Sequence, residues 1–180
     1  AVAGLIALAA LLTPAAVLAG ADTARECARL AAYGHDPARR GGPVAAEEMD
    51  AEAARRVCTR ALAADREDPA LAFHLARAHW RLGEAETAYA FLERAAHAGH
   101  AGAYYVRGRL FHRGEHVRRD HVAALMHYLE AARRAVEAGV AGAAAIYADP
   151  GSPRHDPAKA QVLTRNPAAL WMRHRQAAEW

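Results

Sequence analysis

The chain has 180 residues, an apolar fraction of 53% and a formal net charge of +3. This length accommodates one domain with an appendage, and the apolar content suffices for a packed core and excludes disorder for most of the chain. Arginine and glutamate are interleaved instead of forming a basic block, which excludes a nucleic-acid-binding stripe. Alanine, leucine, arginine and glutamate dominate, and alternating strand-forming runs are rare, so we predict an all-α protein.

Residues 1–21, AVAGLIALAALLTPAAVLAGA, are uncharged and apolar, and Asp22 follows them directly. The tripeptide Ala19-Gly20-Ala21 fits the A-x-A pattern of signal-peptide cleavage. About 20 apolar residues also suffice to cross a bilayer as a retained anchor helix. Both interpretations, a cleaved signal peptide and a membrane anchor, place the rest of the chain in the periplasm.

Two helices are predicted in the following part of the chain. The first begins at a cap formed by Asp22 or Thr23 and ends at Ala32. A connector rich in proline and glycine follows, and the second helix is capped by Asp50 and ends near Ala64.

Cys27 and Cys58 are the only two cysteines of the chain, and one lies on each of these helices. In an oxidising compartment such a pair usually forms a disulfide. The closed loop of about 30 residues corresponds to roughly 3 to 4 kcal/mol of stabilisation in the chain-entropy model. The alternative is two separate buried thiols.

A helical hairpin is predicted next. Asp68-Pro69 places a cap before a proline at the first helical position, and this helix continues to Leu82. Its two apolar stripes indicate two packing neighbours. Gly83 ends the helix, and a second helix from about Glu84 to Ala98 completes an antiparallel pair of the kind found in solenoids.

A second hairpin is predicted for residues 99–132. Its first helix is closed by Gly114, and Asp120 caps the next helix, which is expected to overrun the usual length and continue to Ala138. Residues 141–148 start a further helix that stops at the turn-forming cluster DPGSP.

Two short helices complete the chain. Asp156-Pro157 opens a helix through about Thr164. Asn166-Pro167 opens the terminal helix, PAALWMRHRQAAEW, which is either a cap of the helical stack or a docking helix that anchors Trp171 in a partner.

The residues of the first hairpin resemble a tetratricopeptide repeat, on the spacing of Leu75, Ala76, Ala88, Leu92 and Ala95. The second hairpin resembles the Sel-one-like subfamily of these repeats at Ala103, Gly108, Leu110, Phe111, Gly114, Val117, Asp120, Ala124, Tyr128, Ala131 and Ala132. The resemblance covers about residues 71–143. It implies protein binding, often in the bacterial envelope, and no catalysis.

Three positions depart from that pattern. Arg107 stands where the subfamily has a buried leucine, His116 where it has glycine, and His127 where it has tryptophan. We therefore expect an irregular stack in this region, with Arg107 and His127 at an edge or an interface.

Catalytic and metal-binding motifs are absent from the sequence. The chain contains no G-x-S-x-G, H-E-x-x-H or P-loop motif, and its one serine is Ser152. His112 and His116 have the i, i+4 spacing of metal ligands, but Gly114 lies between them and ends the helix. We predict no catalytic residue, metal site or cofactor, although eleven histidines leave a histidine-based periplasmic metal-binding protein as the alternative.

The sequence thus predicts a short α-solenoid of antiparallel hairpins in residues 22–148, preceded by the apolar segment 1–21 and followed by a linker and terminal helices in 149–180. The expected function is a non-enzymatic scaffold of the bacterial envelope that binds another protein, and one form of it is an accessory subunit of a membrane-bound complex. No nucleic-acid partner is expected. The predicted contact residues are Arg77, Trp80, Tyr104, Tyr105, Arg107 and Trp171.

Overall fold

The computed structural model describes residues 14–37, 39 and 42–167. These residues form eight α-helices and no strand, which confirms the predicted all-α class. In chain order the helices are α1 (Pro14–Ala31), α2 (Ala51–Ala64), α3 (Pro69–Arg81), α4 (Ala85–His97), α5 (Ala101–Arg113), α6 (His121–Arg133), α7 (Glu137–Ala148) and α8 (Pro157–Arg165). Residues 1–13 and the predicted terminal helix with Trp171 lie outside the described residues.

The helices pair in sequence order as hairpins: α1 with α2, α3 with α4, α5 with α6, and α7 with α8. Helix α2 also packs against α3, α4 against α5, and α6 against α7, so each hairpin is joined to the next. This arrangement is a solenoid-like stack, in which most apolar surface is shielded by neighbouring hairpins.

The helix ends follow the capping signals of the sequence. The carboxylates of Asp50, Asp68 and Asp120 accept hydrogen bonds from backbone N–H groups of the first helical turns that follow them. At the other ends, Gly83, Gly99 and Gly114 have φ angles of +79°, +87° and +73°, a region that glycine occupies without steric cost.

Helix α1 differs from the prediction, because it begins at Pro14 and not at a cap formed by Asp22 or Thr23. The Thr23 hydroxyl donates to the carbonyls of Ala19 and Gly20 at 3.2 and 2.8 Å, which is a bond to the preceding helical turn. The helix therefore runs continuously through the predicted boundary between residues 21 and 22. Among the described helices, none combines the length and apolarity of a bilayer-spanning segment.

Helix α6 also differs from the prediction, because it ends at Arg133 instead of continuing to Ala138. Ala135 has a φ angle of +62°, and its N–H donates to the Ala132 carbonyl at 2.9 Å. The Val136 N–H donates to the Ala131 carbonyl at 3.1 Å. These two bonds form the Schellman ending of a helix, with alanine in the position that glycine usually holds.

The buried residues form two apolar clusters. The first extends from α1 to α5 and contains the disulfide between Cys27 and Cys58, whose Cα atoms are 4.9 Å apart. The second is formed by α6, α7 and α8. The predicted disulfide is present and joins α1 to α2 within the first cluster.

Tyr128 of α6 holds three helices at close distance. A Cβ added at Gly108 of α5 would lie 2.6 Å from Tyr128 Cδ1, and a Cβ added at Gly142 of α7 would also lie 2.6 Å from that atom. The buried ring thus fits between two glycines, and side chains at these positions would force the helices apart.

We predict that loss of the disulfide destabilises the fold. The residues Cys27 and Cys58 are 31 positions apart, so opening the bond should lower the free energy of unfolding by about 3 kcal/mol. Urea denaturation with and without reductant measures this difference. A Cys27→Ala/Cys58→Ala variant should be insensitive to reductant, and equal stability of the reduced and oxidised wild type would contradict the prediction.

We further predict that Gly108→Ala costs about 1 to 3 kcal/mol of stability, because Tyr128 blocks the space for the new methyl group. The matched control is Gly20→Ala in α1, whose Cβ would lie 3.7 Å from Ala64 Cβ, an ordinary contact. Both substitutions gain the same helix propensity, so the difference between their urea midpoints isolates the steric effect. Equal midpoints would show that the ring moves aside freely.

Candidate functional site

A groove opens between α3 and α5. Helices α1 and α3 pack directly against each other, as do α5 and α7, whereas α3 and α5 approach each other less closely. The resulting space has a volume of about 310 Å³. We call it the α3–α5 groove, and its lining consists of Tyr33, Ala46, Met49, Phe73, Ala76, Arg77, Trp80, Arg81, Leu92, Val106, Arg109, Leu110 and Glu115.

The long connection between α1 and α2 forms one wall of the groove, and two arginines of α3 hold it in place. Arg77 Nη1 donates to the carbonyls of Ala31 and Ala32 at 2.5 and 2.8 Å, and Nη2 donates to Val44 O at 2.9 Å. Arg81 Nε donates to the Ala46 carbonyl at 3.0 Å. Arg77 therefore satisfies carbonyls at the end of α1 and acts as a positioning residue.

Aromatic rings extend this wall towards α5. Tyr33 packs edge-on against Phe73, with 5.5 Å between ring centroids, and the charge of the nearby Arg109 guanidinium acts on its hydroxyl. Burial raises the pKa of Tyr33 above its usual value, and the neighbouring Tyr105 adds to this effect. Tyr33 therefore stays neutral, and Arg109 keeps its positive charge at the edge of the groove.

Trp80 lies at the far end of the groove, next to His116. Their ring centroids are 5.1 Å apart in an edge-to-face arrangement. His116 has a φ angle of +59°, the left-handed conformation that glycine adopts easily and histidine more readily than most residues. This explains the glycine of the Sel-one-like pattern, and here the histidine supplies a ring beside Trp80.

The predicted contact residues separate into two groups. Arg77 and Trp80 both line the α3–α5 groove, although the Arg77 donors are used within the chain. Tyr105 is half-buried near this region and packs against His35, with 5.4 Å between ring centroids. Tyr104 lies elsewhere, beneath the Arg134 guanidinium, whose Cζ is 4.7 Å from the ring centroid.

Arg107 is buried, contrary to its expected place at an edge or interface. It is 8% exposed, and its Nη2 atom lies 3.3 Å from Glu93 Oε1. Its guanidinium also lies over the Tyr89 ring, with Cζ 5.7 Å from the centroid. Arg107 takes the place of the buried leucine of the repeat pattern, and its charge is paired with Glu93 of α4. Arg107 is therefore not part of the groove surface. Trp171 lies outside the described residues.

His74, His100 and Asp36 form a buried polar cluster that joins the connection between α1 and α2 to the start of α5. His100 caps α5, because its Nδ1 accepts a hydrogen bond from the Ala103 N–H at 3.2 Å. Its Nε2 therefore carries the proton, and this atom lies 3.3 Å from Asp36 Oδ2, an electrostatic contact at the long end of hydrogen-bonding range. His74 lies beside this pair and is 4% exposed.

The described residues provide no group of three or more His, Cys, Asp or Glu side chains placed to hold a metal ion. His112 and His121 come together, with 5.6 Å between ring centroids, but His121 Nδ1 faces Asp149 Oδ2 at 3.5 Å and His112 Nδ1 faces the Tyr128 hydroxyl at 3.3 Å. The Nδ1 atoms of His112 and His121 thus face different partners. The described residues therefore give no support to the alternative of a metal-binding protein.

A larger depression of about 1040 Å³ lies between α7 and α8 and is lined mainly by alanine. It borders Pro167, after which the chain continues through residues 168–180. Because the described walls of this depression carry no aromatic side chain, the α3–α5 groove is the better candidate for recognition of a partner.

Comparison with known proteins agrees with this fold. Residues 45–109 match the family model of the tetratricopeptide repeat. The chain is also similar to the crystal structure of a Sel1 repeat protein from Oxalobacter formigenes, with 24% identity and a TM-score of 0.50. This similarity covers 71% of the chain and 40% of that protein, so the chain spans less than half of its length. No curated protein matches the chain.

Both comparisons confirm the resemblance that the sequence indicates. The matched residues 45–109 include α3 and most of α5, the two helices that border the groove. Repeats of this kind generally mediate protein–protein interactions and typically lack catalytic activity.

We predict that acid destabilises the protein through His74. Burial lowers the pKa of His74 to about 4, with His100 and Arg77 adding to the shift. The unfolded chain takes up a proton near pH 6.5 and the folded chain only near pH 4, so stability present above pH 6.5 is lost as the pH falls. The loss at pH 4.5 is about 2.5 kcal/mol from this group.

Urea denaturation at pH 7 and pH 4.5 tests this effect in wild type and His74→Leu. The variant should lose less stability on acidification than the wild type does, whereas the exposed control His155→Leu should behave as the wild type. Identical pH dependence in wild type and His74→Leu would contradict the prediction.

Proposed function

We propose that this chain, a tetratricopeptide-like and Sel1-like repeat protein, is a non-enzymatic scaffold that binds a segment of another protein in the α3–α5 groove. The observation that carries this proposal is the groove between α3 and α5, an open space of about 310 Å³ that side chains of both helices line. The floor of the groove is apolar, and its border carries Trp80, Tyr33 and arginine side chains. Such side chains are enriched among the residues that dominate binding energy at protein interfaces.

The groove is also held ready for a partner. Arg77 and Arg81 fix the connection that forms one wall through four hydrogen bonds to backbone carbonyls. Because these bonds hold the wall in position without a partner, binding does not incur the entropy cost of ordering it.

The proposal includes a location in the bacterial envelope, with the repeats in the periplasm. The disulfide between Cys27 and Cys58 supports it, because such bonds persist in oxidising compartments. The uncharged segment 1–21 supports it as well, either as a cleaved signal peptide or as an anchor in the inner membrane. An anchored form would suit an accessory subunit of a membrane-bound complex.

We predict that Trp80→Ala and Val106→Glu each weaken partner binding. Loss of an anchoring side chain should cost about 2 kcal/mol, which corresponds to roughly a thirtyfold increase in Kd. The full chain, tagged at its C-terminus and with its disulfide intact, is used to capture proteins from solubilised envelopes, and captured proteins are then measured against each variant by surface plasmon resonance.

The matched control is Met126→Ala in α6, because Met126 is 67% exposed and does not line the groove. Circular dichroism establishes that each variant is folded. If every captured protein binds Trp80→Ala and Val106→Glu as tightly as wild type, the groove is not the binding site and the proposal is wrong.

A further inference from the structure

We infer that the segment bound in the α3–α5 groove carries an apolar side chain flanked by carboxylates. This inference rests on the proposed function and adds to it the chemistry of the partner. It follows from two separate observations, the apolar floor of the groove and the sign of the charges around it.

The floor selects the apolar side chain. Met49, Phe73, Leu92 and Leu110 are almost fully buried by the helices around them, yet each also borders the open space of the groove. A volume of about 310 Å³ is at the lower end of the range of ligand cavities. It admits one or two apolar side chains, whose burial would remove the remaining water from this floor.

The charges around the floor are nearly all positive. Helices α3 and α5 contain no Asp or Glu, and three of their five arginines line the groove. Of the charged residues that line the groove, three are arginines and one is Glu115, whose Oε1 lies 3.3 Å from Nη1 of Arg113. The connection also carries Glu47 and Glu48, but neither lines the groove.

Arg81 and Arg109 are the two arginines best placed for a carboxylate. Arg81 is exposed, and its only hydrogen bond among the described residues joins Nε to Ala46, so both terminal nitrogens are available. Arg109 is half-buried and lines the groove near Tyr33. A planar guanidinium presents paired donors that match the two oxygens of a carboxylate.

A protein segment fits these features better than a nucleic acid does. The chain has a single lysine, Lys159, which lies in α8 and away from the groove. Binding of a nucleic-acid backbone relies on a continuous track of cations, and single-stranded bases require an open series of stacking rings. The groove offers instead a short apolar floor with cations at its edge.

The test is selection of a displayed library of random 12-residue peptides on the immobilised full chain, with parallel selection on Val106→Glu. We expect peptides recovered on the wild type alone to contain an apolar residue with Asp or Glu within a few positions. A synthetic copy of the most enriched peptide should lose about tenfold in affinity between 50 and 500 mM NaCl, because salt screens exposed charges. The same peptide with Gln and Asn in place of its acids should bind at least tenfold more weakly.

Arginine variants of the chain test which side chain binds the carboxylates of the peptide. Arg81→Gln should weaken binding of the acidic peptide about tenfold and leave binding of the Gln and Asn peptide unchanged, whereas Arg60→Gln on the exposed side of α2 should change neither. The salt series needs no variant and therefore decides the question even if Arg81→Gln perturbs the wall at Ala46.

The outcomes separate the two proposals. Recovered peptides that depend on Val106 but are neutral or basic, with no salt dependence, would overturn the inference and leave the proposed function standing. Absence of any groove-dependent peptide would overturn both. Groove-dependent binding of a 20-residue oligo(dT) with higher affinity than the selected peptide would overturn the assignment to a protein segment.

Discussion

The wall of the α3–α5 groove depends on the hydrogen bonds that Arg77 donates. Its guanidinium joins the end of α1, the following connection and α3 by donating to Ala31, Ala32 and Val44. The described residues of this connection form turns, in which backbone N–H groups satisfy some of the carbonyls, such as Ala32 O from Val44 N–H. The half-buried Arg77 supplies further donors and so holds the connection against α3 as one wall of the groove. Burial lowers the pKa of Arg77, but an arginine keeps its charge under all physiological conditions.

The geometry of the stack determines where a partner can bind. Tyr128 between Gly108 and Gly142 brings α5, α6 and α7 close together, whereas the space between α3 and α5 stays open. Close packing on one side and a groove on the other leave an apolar floor that borders open space. Under the proposed function, this groove recognises the shape and charge of a partner with side chains that are already in position.

The sequence indicated the helices more reliably than the surface. Capping aspartates such as Asp50 and Asp120 and the glycines at helix ends are local signals, so the helices they delimit were predictable. The end of α6 was not, because Ala135 adopts a conformation that normally marks glycine. Contacts between distant parts of the chain were also beyond local patterns. Trp80 was predictable as a contact residue from its type and position, but the pairing of Arg107 with Glu93 depends on how α4 and α5 pack.

The disulfide lies in only one of the two apolar clusters, and this has a consequence for how the stack opens. Cys27 and Cys58 cross-link α1 to α2 in the first cluster, whereas the described residues of α8 are held by packing on α7. In a linear array each unit is supported mainly by its neighbours, so a cross-link within one hairpin also supports the hairpin that packs on it. The disulfide therefore limits opening of the hairpin whose connection forms a wall of the groove, and the amide hydrogens of α1 and α2 exchange with solvent more slowly when the disulfide is intact than after its reduction.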